Sequence, residues 1–192
     1  MIIEIPVEIS ARHIHLSREH LDALFGAGYE LNNLKELSQK GQFATSETII
    51  IQTEKDKIEK VRILGPVRKQ TQVEISKTDA KKLGINPPIR HSGDLSSSAG
   101  CILIGPKGTV LLKEGIIIAW RHIHATPKYM QDYNLDSRKF VSVKISTPSR
   151  TITFHQVYLH VDPSFTPVLC LDTDEANAAG IEGLISGEVI LD

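Results

Sequence analysis

Apolar positions in this chain follow β-type spacing far more often than helical spacing. Residues 2–9 alternate, and short β-type runs follow at 48–52, 61–64, 72–75, 101–104, 110–112 and 116–120. Further runs occupy 140–145, 151–154, 157–161 and 168–171. Gly, Pro and Asp turn signals bound them. Many short strands punctuated in this way predict barrels or sandwiches and not alternating βα units. Ile63-Leu64-Gly65-Pro66 and Leu103-Ile104-Gly105-Pro106 read as related strand-to-turn corners. They favour two similar β units over one sandwich.

Helical patterning is confined to short, capped stretches. Ser17 caps 18–25, with Leu16 and Leu21 placed as a hydrophobic staple and Gly26 as the stop. Residues 33–40 carry Leu34 and Leu37 at helical spacing and run to Gly41. Ser76, with Asp79 three places on, resembles a capping box for 77–83, which Gly84 closes. Thr126-Pro127 sets a cap and then a proline at the first helical position. Asp172 or Thr173 caps 174–179 ahead of Gly180.

One tetrapeptide occurs twice, as Arg12-His13-Ile14-His15 and Arg121-His122-Ile123-His124, each after a strand-like run. In a strand, residues two apart share a face, so both imidazoles of such a pair reach one metal ion. On a helix the same spacing would splay them. The competing reading is a pair of surface histidines on an amphipathic strand, and the identical repeat argues against it. Imidazole suits zinc, copper, iron and nickel, so the pairs predict one metal centre each or one shared site. The repeat also supports two similar β units.

Composition narrows the classes without choosing among them. A chain of 192 residues fits one large domain or two small ones. Its 22 basic and 23 acidic residues give a net charge of −1, which excludes a non-specific polyanion binder, so no nucleic-acid partner is expected. Two cysteines, Cys101 and Cys170, make no disulfide framework, and a cytoplasmic setting follows. The first strand-like run leads straight into the first histidine pair, with no signal peptide, and no apolar run is long enough to span a bilayer. No membrane partner is expected.

Further features carry candidate chemistry. In Thr71-Gln72-Val73-Glu74-Ile75-Ser76, alternation puts Gln72, Glu74 and Ser76 on one face, and Glu74 is a plausible third zinc ligand or a solvent-facing carboxylate. Arg68 can read phosphate bidentately or be a solvated loop charge. Cys170 fits a buried small hydrophobe, a nucleophile activated by the adjacent helix N-terminus, or a zinc thiolate. Arg12 and Arg121 point to the strand face opposite the histidines, which suits a structural or supporting role. The polar loop 90–98 can hold a ligand or merely connect strands, while His20, His91, His155 and His160 lack any such context. The histidine pairs, Glu74 and Cys170 each sit at a strand end just before a helix N-terminus, where unpaired N–H groups bind anions.

Three long motifs carry a resemblance. They are 7–17, Leu64-Gly65-Pro66-Val67-Arg68-Lys69-Gln70-Thr71-Gln72-Val73-Glu74-Ile75-Ser76, and 172–180 beginning Asp172-Thr173-Asp174-Glu175-Ala176-Asn177. Together they resemble the PduL-type phosphotransacylases, the phosphate propanoyltransferases of propanediol-degrading bacteria and their acetyl-transferring relatives. The resemblance spans nearly the whole chain. It implies a mainly β fold of two β-barrel domains capped by short α-helices, with two zinc ions in a cleft. The first barrel would comprise 1–11 with 120–192, and the second 12–119. On matching positions His13, His15 and Glu74 would hold one zinc, and His122 and His124 the other, with Arg68 binding phosphate. The implied reaction is reversible acyl transfer between coenzyme A and inorganic phosphate, so acyl-CoA or CoA and phosphate or acyl phosphate are the expected partners. The contacts to coenzyme A are not assigned, and the oligomeric state, a homodimer included, stays open.

Two departures from the family pattern matter. The residue before Leu171-Asp172-Thr173-Asp174 is usually histidine, a ligand of the second zinc, and here it is Cys170, whose thiolate can replace imidazole. Members packaged in bacterial microcompartments carry an N-terminal targeting extension, and this chain starts at its first strand, which favours a freely cytoplasmic enzyme or one whose packaging in a microcompartment depends on another feature. Two other classes share part of the residue set. A zinc-dependent thioester hydrolase would use the same ligands without phosphate, and a non-catalytic metal-binding β module would need neither Arg68 nor an open coordination position.

Overall fold

The structure, a computed structural model, describes residues 2–191. In chain order its strands begin with β1 (Ile3–Ser10), β2 (His13–His15), β3 (Asn33–Glu36), β4 (Phe43–Gln52) and β5 (Lys57–Gly65). Next come β6 (Gln72–Glu74), β7 (Ile89–Arg90), β8 (Ala99–Ile104), β9 (Thr109–Ala119) and β10 (His122–Ala125). The last are β11 (Phe140–Ser146), β12 (Thr151–Val161), β13 (Val168–Asp172) and β14 (Ile185–Ile190). The helices are α1 (Arg18–Phe25), α2 (Lys77–Leu83), α3 (Pro127–Asp132) and α4 (Thr173–Ala179). Among the described residues, no helix is long and apolar enough to cross a membrane.

The strands close into two rings, which makes the fold mainly β with two barrels and short capping helices. The first ring runs β1-β13-β10-β12-β11-β14 and back to β1. Alternation along β1 turns Ile3, Ile5 and Val7 inward, all buried, and leaves Glu4 and Pro6 exposed. They join Ile123, Val143, Leu169 and Leu171 in one core, each such side chain contributing about 1.5–3 kcal/mol through burial. In the second ring β4 pairs with β5, β5 with β2, β2 with β6 and β6 with β9; β8 then bridges β9 to β4. Its core holds Ile14, Leu21, Ile51, Ile63, Val73 and Leu103. Closure leaves neither ring with an open edge; β3 and β7 are added outside the second, on β4 and β9.

The two rings share one pairing scheme. β10 is antiparallel to β13, which is parallel to β1, and on its other side β10 is parallel to β12. β2 is antiparallel to β6, which is parallel to β9, and on its other side β2 is parallel to β5. The rest of each ring is antiparallel. The chain divides into two compact units. One takes the segment up to Ser10, Ser38–Lys40 and the chain from Trp120 on; the other takes Ala11–Leu37 and Gly41–Ala119.

Several local expectations need correction. Residues 33–40 form no helix: Asn33–Glu36 is a strand paired with β4, and Leu34 is 63% exposed. Two leucines three apart among polar residues offer too narrow an apolar stripe to hold a helix, and the β4 edge supplies the hydrogen bonds instead. The run 110–112 and, up to Ala119, the run 116–120 belong to one strand, β9, and 151–154 and 157–161 to another, β12. Polar interruptions inside a strand look like turns when only side chains are read. The Gly65-Pro66 and Gly105-Pro106 corners both lie in the second barrel, so they do not mark the repeat. Each glycine answers to packing, since a Cβ would lie 2.3 Å from the Phe43 ring at Gly65 and 2.5 Å from the Leu24 carbonyl at Gly105.

Candidate functional site

In the second barrel, β2 lies between β5 and β6, so all three of its residues are buried. Ile14 faces the core, and the histidines on either side of it share the other face. The antiparallel register sets His13 opposite Glu74 and His15 opposite Gln72. His13 Nε2 lies 3.6 Å from Glu74 Oε2. Two donors of a tetrahedral zinc, each about 2.0–2.1 Å from it, are about 3.3 Å apart, so this pair is spaced as ligands of one ion. His13 Nδ1 sits 2.9 Å from the Ala11 carbonyl. An N–H at Nδ1 suits that acceptor and turns Nε2 toward the carboxylate.

His15 stands beside this pair, its ring centroid 5.1 Å from that of His13. Its Nδ1 is buried without a hydrogen-bond partner. Burial first, then the charges of His13 and Arg68, push its pKa down to about 2 against a pull from the Leu64 carbonyl. The ring therefore stays neutral and offers an unshared pair, as a metal ligand must. Gln72 Nε2 donates to Glu74 Oε1 at 2.5 Å and to Ser92 Oγ at 2.8 Å, and Gln72 Oε1 accepts from the Gly93 N–H at 2.7 Å. The polar loop 90–98 is thus docked on the cluster. Arg68 stands at its margin, half-buried, with its backbone N–H on the Leu16 carbonyl at 2.8 Å and Nη1 3.4 Å from Ser92 Oγ. Burial lowers its pKa and Glu74 opposes that shift, but a guanidinium stays charged regardless.

The first barrel builds its cluster the same way. β10 and β13 set His122 opposite Cys170. His122 Nδ1 lies 2.8 Å from the Trp120 carbonyl, repeating the His13 arrangement. His122 Nε2 and His124 Nε2 are 3.2 Å apart, again the spacing of two ligands. Cys170 Sγ is 3.8 Å from His124 Nδ1, and one donor atom from each of the three residues lies within 4.8 Å of the others. Cys170 is buried, so bulk reagents meet little of its sulfur.

The site includes residues that spacing along the chain does not reveal. His160 lies directly beside His124 across the parallel β10–β12 pair, with ring centroids 5.6 Å apart, and Phe165 packs on both rings. A parallel pairing between distant segments leaves no trace in local spacing. His20 Nδ1 meets Thr71 Oγ1 at 2.8 Å, and the Ser17 N–H donates to the same oxygen at 2.9 Å. Each helix N-terminus has its own side-chain cap: Ser17, Ser76, Thr126, and Asp172 in a capping box with Glu175. The caps explain those junctions without an anion.

Similarity to known proteins bears on what this arrangement is for. A family model described as phosphate propanoyltransferase matches residues 6–182. A phosphate propanoyltransferase of Thermotoga maritima is 50% identical over 173 residues, 90% of this chain and 82% of that protein. One of Lachnoclostridium phytofermentans is 51% identical over 178 residues, 92% of this chain and 83% of that protein. One of Listeria monocytogenes is 46% identical over 186 residues, covering 97% and 87%. At this identity and coverage the chain belongs to the phosphate propanoyltransferase family and is an acyltransferase.

Proposed function

We propose that the protein transfers a short acyl group, propanoyl or acetyl, reversibly between coenzyme A and inorganic phosphate, in a zinc-dependent reaction. His13, His15 and Glu74 would hold one zinc ion, and His122, His124 and Cys170 a second. The observation that carries the metal reading is the construction made twice: a His-x-His strand, its first imidazole fixed by a carbonyl two residues back, faces a third side chain able to ligate across an antiparallel pair. When bound, zinc supplies Lewis-acid polarisation of a carbonyl.

The chain's own groups account for the rest. The Arg68 guanidinium holds a phosphate dianion through paired N–H donors, beside the ligand cluster of its own barrel. A phosphate oxygen attacks the thioester carbonyl carbon, the C–S bond breaks, and coenzyme A leaves as a thiolate that takes up a proton from solvent. Acyl phosphate is the other product. Burial of His13, His15, Gln72 and Glu74 limits water near the cluster, which favours phosphate over hydrolysis as the acceptor. The deciding experiment follows acyl-CoA consumption with and without phosphate. Transfer requires phosphate; consumption at equal rate without it identifies a hydrolase, and none under either condition leaves a metal-binding module.

A further inference from the structure

The residue before each histidine pair is an arginine, and both arginines make the same kind of bridge. Arg12 Nε and Nη2 grip the two oxygens of Asp79, at 2.9 Å each. Arg121 Nη1 donates to Glu175 Oε1 at 2.6 Å, and its Nε donates to the His155 carbonyl at 2.8 Å. Asp79 and Glu175 occupy equivalent places, each in the first turn of the helix that follows the strand bearing the third donor. Each carboxylate lies three residues after an N-cap, Ser76 or Asp172, which in turn lies two after Glu74 or Cys170. In the first barrel Glu175 also accepts the Asp172 N–H at 3.2 Å, so one carboxylate ties the arginine to the cap.

We infer that Arg12–Asp79 and Arg121–Glu175 are positioning pairs, each a brace that fixes the third metal donor against the histidine strand of its own barrel. This inference rests on the ligand sets proposed above. Each pair closes a loop from the first histidine, through its neighbouring arginine, across the ion pair and back along the helix start to the third donor. β2, β6 and β10 have only three or four residues each, so ladder hydrogen bonds alone hold few dihedrals around the donors they carry. A planar two-pronged donor fixes angle as well as distance, and groups of this kind, outside the ligands themselves, typically change metal affinity 10–100-fold. The braces differ in form. Asp79 takes both prongs of Arg12, whereas Arg121 divides its prongs between Glu175 and β12.

The test loads the full-length protein with zinc and follows release to a chromophoric chelator, with cobalt-loaded protein read by its sulfur-to-cobalt charge-transfer band. Arg121→Lys and Glu175→Gln should each speed release of one zinc about 10–100-fold, and the cobalt–thiolate band should be lost at lower chelator concentration. Arg12→Lys and Asp79→Asn should speed release of the other zinc and leave that band unmoved. Having both members of each pair keeps the test open if one variant does not fold. A purely structural role would lower the melting temperature of the metal-free protein without changing release rates. Release within twofold of wild type in the folded variants overturns the inference. Wild-type protein that binds no metal, or binds cobalt without the thiolate band, fails at the ligand sets themselves and takes the inference with it.

Discussion

At the scale of single residues, Arg68, Cys170 and His15 carry the sharpest expectations. Arg68→Ala should lower kcat/KM for phosphate roughly 100-fold, the loss of about 2–3 kcal/mol expected of a charged two-pronged contact, and leave KM for coenzyme A near wild type. Arg68→Lys should recover part of it, because charge survives and fork geometry does not. Steady-state kinetics in both substrates check this; equal losses for the two would point to a general defect. Cys170→His should keep two metals per chain and most activity, and Cys170→Ser should loosen one metal while the other stays. Metal analysis beside the rates decides, and an acyl group trapped on the sulfur would instead identify a nucleophile. His15 gives the pH expectation for the metal-free protein. Its folded pKa of about 2 lies below the ordinary 6.5, so the unfolded chain binds the extra proton between those values. Its contribution is complete above about pH 6.5 and is lost as pH falls toward 2, at about 1.4 kcal/mol per unit. Urea unfolding at pH 7 and pH 5 should show that slope, and His15→Gln should flatten it by about 2 kcal/mol over the interval. Parallel slopes would remove His15 as the cause.

At the scale of elements, what the chain discloses depends on how local the cause is. Helix caps are local, and Ser17, Ser76, Thr126 and Asp172 all cap where side-chain chemistry says they should. The His-x-His strands are local too, because a period of two is all that the shared face requires. Which strand lies next to which is not local. Nothing in the run 157–161 says that His160 pairs beside His124, and nothing near Arg12 says that Asp79 is its partner. Residues 33–40 show the opposite failure, a helical spacing overruled by an available strand edge. That correction has a direct test. Leu34→Ser should shift stability by no more than about 0.5 kcal/mol, since the side chain is 63% exposed on β3. Leu21→Ala, on the buried face of α1, should cost about 2–5 kcal/mol. Chemical unfolding of the two variants side by side suffices, and a large cost at Leu34 would restore the helix.

At the scale of the whole molecule, two barrels with one pairing scheme each present a His-x-His strand opposite the third donor proposed for it, Glu74 in one and Cys170 in the other. Metal removal should therefore be felt twice. Chelation should abolish activity and lower the melting temperature, zinc or cobalt should restore both, and the midpoint should climb with free metal concentration as mass action requires. Calorimetry with and without chelator checks this, and an unchanged midpoint would show that the clusters bind nothing. The connectivity has a further consequence, in time and not in energy. Among the described residues β1 pairs with β13 and β14 alone, so both of these neighbours are made long after it. At roughly 5–20 residues per second, translation from Ser10 to Val168 takes on the order of ten to thirty seconds. Through that interval the strand Ile3–Ser10 leaves the ribosome with both backbone edges unpaired and Ile3, Ile5 and Val7 open to solvent. The barrel from Ala11 to Ala119 has all its strands well before then. On a ribosome, β1 is made long before its partners and is among the last of these strands to find its place.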